Sequence, residues 1–175
     1  MLRKIVIFLI IFFSAILQLA VFPNVFFWGV GPNILLLLVI FWTTREGFEK
    51  ALSKNILVGL AFDLVVFCPI GTHVAVFTLV SFFIGFISKR FLVVARNWRI
   101  FILAMTIIFS TLASRFFLMS ISGIADYFSR AALDNLPISF FISISAKEGV
   151  LNILFFPLVY FLLKKIESLN FLKSS

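Results

Sequence analysis

Apolar runs broken by short basic segments and prolines set the pattern of this chain. The first run, 5–22, covers about 18 residues, near the minimum for a membrane span, and lies between Arg3-Lys4 and Pro23. The second is centred on Ile34–Trp42, and with its flanks, 32–44, it reaches only about 20 Å as a helix. Pro32 suits the first turn of that helix. The third run, 51–68, carries one acid, Asp63, and stops at Pro69, because proline cannot continue a helix. Pro69-Ile70-Gly71-Thr72 reads as a tight turn, and a fourth run follows over 73–88. The fifth and sixth runs, 100–119 and 144–163, are each about 20 residues, enough to cross a hydrocarbon core. Pro157 lies inside the sixth and is expected to kink it.

Between the last two runs, Ile121, Ile124, Phe128 and Ala131 recur at helical spacing, and Asp126–Arg130 and Arg130–Asp134 are i, i+4 pairs. This predicts a short amphipathic helix over 121–135 lying on the outer surface. In the fifth run Thr106, Ser110 and Ser114 recur every four residues, a stripe that lets helices approach closely.

Composition turns the pattern into a class. Of the 175 residues, 63% are hydrophobic and 13% charged, and 26 are Phe. Soluble domains run nearer 45–50% apolar. The expectation is an all-α integral membrane protein, a single six-transmembrane-helix bundle over 1–175 with no soluble domain. The first run is longer than a signal-peptide core, and the Val-Phe-Pro after Ala20 makes a poor cleavage site, so it reads as an uncleaved helix.

The net charge of +8 would point to nucleic acid in a soluble protein, but here the basic residues lie between apolar runs. With six spans, Arg3, Lys4, Arg45, Lys50, Lys54, Lys89, Arg90, Arg96, Arg99, Lys164, Lys165 and Lys173 fall on one side, and only Arg130 on the other. If 32–44 did not span, this asymmetry would reverse and weaken. The excess of Lys and Arg on cytoplasmic loops therefore places both termini in the cytoplasm. The lipid bilayer is the surrounding partner, and nucleic acid is not one.

Asp63, Arg115, Lys147 and Glu148 fall within or at the edge of these spans. An intramembrane charge costs at least about 2.5–3.5 kcal/mol at the bilayer centre, so such groups usually face the bundle interior and pair. Asp63 lies about 18 Å and Arg115 about 22 Å from the cytoplasmic end, counting 1.5 Å per residue. A pairing of Asp63 with Arg115 or Lys147 is expected, with Glu148 and Asn152 completing the network. A structural lock, a polar core sensitive to a partner, and a path for a solute or proton all fit that arrangement.

Catalytic motifs are missing from the sequence. His73 is the only histidine and Cys68 the only cysteine, so no His-pair metal motif and no intrachain disulfide can form. There is no phosphate-binding glycine loop and no G-x-S-x-G. His73 sits beside the Pro69–Gly71 turn, where a capping or interfacial role is expected. The reading is a protein without catalytic residues, metal or cofactor.

The features Gly31-Pro32-Asn33 before a Leu-rich helix, the charged turn Arg45–Lys54, and Gly59 four residues before Asp63-Leu64 resemble the rod shape-determining protein MreD family. Pro69-Ile70-Gly71 before the next helix, Gly85 late within it, and Gly149-Val-Leu-Asn152 with Pro157 and a Lys164-Lys165 end extend the resemblance over nearly the whole chain. It implies a non-enzymatic component of the bacterial inner membrane that associates with the bitopic protein MreC. It further implies work beside the actin-like MreB filament, controlling the glycosyltransferase–transpeptidase pair that builds lateral-wall peptidoglycan. The family is also similar in fold to the S components of energy-coupling factor transporters, which implies an outward polar pocket near Asp63 and Arg115. An S component binding a small vitamin-like solute is the alternative function. Against it, no two alanines here are four residues apart, whereas that class couples through Ala-x-x-x-Ala on its first helix.

Overall fold

A computed structural model describes residues 2–25, 30–66, 69–88, 99–129 and 138–168. The basic loop 89–98, the segment 130–137 and the tail after Ser168 lie outside the described residues, as does the pair 67–68 that ends the third predicted run. All described secondary structure is helical: α1 (Leu2–Ile16), a π-helical turn (Leu17–Val21), α2 (Phe22–Val25), α3 (Ile34–Glu46), α4 (Phe48–Val66), α5 (Thr72–Ile87), α6 (Arg99–Ser129) and α7 (Ile138–Ser168).

α3 is the centre. Every residue from Ile34 to Thr43 is buried, and α1, α4, α5, α6 and α7 all pack against it. A helix apolar on every face has no preferred outside and is stable only when surrounded. Asn33 starts it, its side chain accepting from the Leu36 N–H. Gly47, with φ +83°, ends it and lets α4 begin at the next residue. The second predicted run thus becomes an interior helix of 13 residues.

α4 and α5 form a close antiparallel pair. A Cβ on Gly59 would lie 2.6 Å from the Val74 Cα and 2.7 Å from its nitrogen, so backbone meets backbone there. A Cβ on Gly85 would meet the Phe48 Cβ at 2.8 Å. Both contacts require glycine, since real Cβ atoms cannot approach so closely. Gly71, with φ +105°, supplies the left-handed residue that opens α5.

Helix ends depart from the sequence reading in three places. The first helix does not stop at Pro23 but passes through the π turn into α2. Proline lacks only its own N–H, and the wider turn already breaks the regular ladder there, with the Phe22 N–H bonding to the Leu17 carbonyl. Residues 121–129 of the predicted surface helix continue α6, whose helical spacing runs on from the span past Gly123, and its remainder, 130–135, lies outside the described residues. α7 begins at Ile138 and ends at Ser168, longer at both ends than 144–163, with Pro157 inside it.

Lys4–Val21, Phe101–Leu118 and Ile142–Ser168 are long and apolar enough to cross a membrane by length and composition. α5 is apolar but shorter. Large apolar side chains are exposed around the outside, including Phe8, Phe12 and Phe13 on α1 and Leu154, Leu158 and Phe161 on α7. This is the surface of a helical protein dissolved in lipid.

Candidate functional site

The polar side chains inside the bundle form three stations. The first closes the α4–α5 turn. A helix start leaves backbone N–H groups without partners, and Asp63, from the neighbouring helix, fills that need. Its Oδ2 accepts from the Gly71 N–H at 2.7 Å, and its Oδ1 accepts from the His73 N–H at 2.8 Å. The His73 ring adds a third donor, with Nδ1 2.7 Å from the same Oδ1. Asp63 is fully buried and His73 nearly so. Phe62 covers the imidazole, ring centres 4.3 Å apart. A carboxylate at a helix N-terminus is also favoured by the helix dipole. The turn itself is closed by the Thr72 N–H and hydroxyl, both donating to the Pro69 carbonyl.

The second station surrounds the start of α3. Gln18, in the π turn, accepts from the Leu35 N–H through Oε1 at 3.0 Å and donates through Nε2 to Asn33 Oδ1 at 3.2 Å. Asn152, on α7, accepts from the Asn33 N–H at 2.7 Å and donates to the Thr111 hydroxyl at 2.9 Å. Three helical segments, the π turn, α7 and α6, are thereby tied to the start of α3. One turn further along each helix, Arg115 of α6 pairs with Glu148 of α7 through its Nε and Nη2. Glu148 is buried, while over a third of the Arg115 side chain is exposed.

The third station lies toward the other end of α3. The Asn55 amide donates to both Thr43 Oγ1 (3.0 Å) and Ser81 Oγ (2.7 Å), and the two hydroxyls are 2.9 Å apart. Lys54 pairs with Glu46 and lies over the Trp42 ring, and Arg45 reaches Glu167 at 3.2 Å. The hydroxyls of Thr106, Ser110 and Ser114 all bond carbonyls of their own helix, so that stripe presents a small, satisfied face.

The residues singled out from sequence therefore divide. Glu148 and Arg115 meet, and Asn152 lies one turn away on α7. The expected pairing of Asp63 with Arg115 or Lys147 is corrected: Asp63 is consumed by the turn and His73, Arg115 by Glu148, and Lys147 is exposed with no ion pair among the described residues. Similar depth put these groups together on paper, but depth says nothing of position around the bundle. Pro69 and Gly71 lie in the turn, and Pro32 is buried just before the α3 cap. Gln18, Asn33 and Thr111 are the members that sequence reasoning missed, whereas His73, expected in a capping or interfacial role beside the Pro69–Gly71 turn, binds Asp63 there. Among the described residues no group of His, Cys, Asp and Glu could hold a metal.

Comparison with curated proteins and with solved structures gives no match. The sequence model of the rod shape-determining protein MreD matches residues 1–166. Spread over nearly the whole chain, that match takes in the polar stations except Glu167, with the glycine contacts between α4 and α5, and the chain belongs to the MreD family.

Proposed function

We propose that this protein is a non-enzymatic scaffold of the bacterial inner membrane, spanning it six times with both termini in the cytoplasm. Family membership gives it a role in rod-shape determination. In this reading it binds an MreC-like bitopic protein, works beside an MreB-like filament, and helps control the glycosyltransferase–transpeptidase pair of lateral-wall peptidoglycan synthesis. The observation that carries the reading is the use of the buried polar groups. Gln18, Asn33, Thr111, Asn152, Arg115 and Glu148 bond across helices at one end of α3, and Asp63 binds α5 to α4. Groups spent on holding helices together suit a body that presents fixed surfaces to partners.

The test is a pull-down of the tagged chain from native membranes in mild detergent, with partners identified by mass spectrometry. Recovery of a single-span coiled-coil periplasmic protein together with wall synthases is the expected outcome. Recovery of paired ATPases with a transmembrane coupling subunit would overturn the reading in favour of a solute-binding S component. Topology is checked separately, by reporter fusions after Ser88 and Ser168, both of which should report cytoplasm.

A further inference from the structure

We propose that the α4–α5 edge of the bundle sits in a locally thinned bilayer and selects short-chain lipids there. The inference rests on the six-span reading. Exposed apolar residues on α4 begin only at Ile56 and, among the described residues, continue to Val66. Toward the cytoplasmic end of the same helix Glu49, Lys50 and Ser53 are exposed instead. Along the turn and α5 the exposed band runs from Ile70 to Phe86, about 24 Å. On α7 it runs from Ile142 to Leu162, about 30 Å, which equals a typical hydrocarbon core. One edge of the protein is matched to the bilayer and another falls short by about 6 Å along α5.

The short edge cannot lengthen. Asp63 fixes the first turn of α5 to α4 through three donors, and Gly59 sets α4 backbone on α5 backbone, so the helices cannot slide apart along their axes. Tilting shortens a span's reach across the bilayer. Ile70, 73% exposed at the tip of the turn, is flanked in the chain by Pro69, Gly71 and Thr72, none of them a long basic side chain that could reach up to the headgroups. The remaining accommodation is in the lipid, which thins next to a short hydrophobic stretch.

The test uses the full chain, carrying Cys68→Ser, in vesicles of mixed 14-carbon and 20-carbon phospholipids. A fluorophore is placed on Leu57→Cys of α4 or on Leu154→Cys of α7, both exposed, and either lipid is brominated in turn. Quenching at position 57 should favour the 14-carbon lipid by about three- to tenfold, from mismatch energies of fractions of a kcal/mol per Å. Position 154 should show no such preference. Equal selectivity at both positions overturns the thinning. Quenching at 154 with none at 57 also overturns it, because a second copy or another protein then covers the edge. Absence of quenching at both positions rejects the six-span reading itself. Ile56→Cys, on the same edge, replaces Leu57→Cys if that variant does not fold.

Discussion

Two buried carboxylates are neutralised in different ways in this molecule. Asp63 takes all its partners from the turn and helix that follow it, at separations of 8 and 10 residues, and two of its three donors are backbone N–H groups. Glu148 is met by side chains alone, Arg115 from 33 residues away on another helix and Asn33 at the start of α3, at a place open to solvent or headgroups on the arginine side. The first arrangement makes a hairpin rigid; the second joins α6 to α7 and could be exchanged for a different partner. A carboxylate bound by backbone donors depends on one local fold, whereas a carboxylate bound by a side chain depends on which helix lies beside it.

The comparison breaks most sharply at Asp63. Asp63→Ala leaves the Gly71 and His73 N–H groups buried without acceptors, and loss of about 3–5 kcal/mol is expected, as for removing one partner of a buried pair. Unfolding in detergent, followed by circular dichroism, measures it. Gly59→Ala should cost less, about 1–3 kcal/mol, because the added methyl has only backbone to meet and the helices must part. The Asp63 station would loosen with it, which reduced protection of the His73 amide in hydrogen exchange would reveal.

Charge exchange sharpens the contrast. Arg115→Glu combined with Glu148→Arg should recover part of the stability lost in either single variant, with a coupling of about 0.5–3 kcal/mol. Asp63→Arg combined with Arg115→Asp should recover none, since those two groups have separate partners. If that second pair shows coupling as large as the first, the two stations are not independent. Lys147→Ala marks the small end of the scale. With an exposed side chain and no ion pair among the described residues, it should alter stability within about 0.5 kcal/mol, by the same denaturation assay.

Much of the fold was readable because membrane helices are announced by apolar runs and their breakers. The Leu-rich run at Ile34, Pro69 with Gly71, and the basic ends all fall where the helices change. Gly59 and Gly85 were visible as small residues, and the structure shows the close approaches they permit. The partner of Asp63 was misread because counting residues from a membrane face gives height alone. Four charged groups at similar height can pair in several ways, and which pairs form depends on the order of helices around α3. The continuation of α6 to Ser129 was missed for a related reason: an amphipathic pattern marks a helix equally well whether it lies flat or extends a span. Of the Gln18–Asn33–Asn152–Thr111 station only Asn152 was readable, as a polar residue inside a span, since the others are ordinary amides and a hydroxyl until four segments converge.

The cap on α3 also sets an order of events. Asn33 is satisfied by Asn152, which lies 119 residues later in the chain. At about 5–20 residues per second, ribosomes reach that asparagine roughly 6–24 s after α3 emerges. During that interval the Asn33 N–H lacks its acceptor on α7, and the central helix is too short to cross hydrocarbon alone. The innermost helix of the finished protein is therefore the one whose placement is completed last, when α7 arrives to close over it.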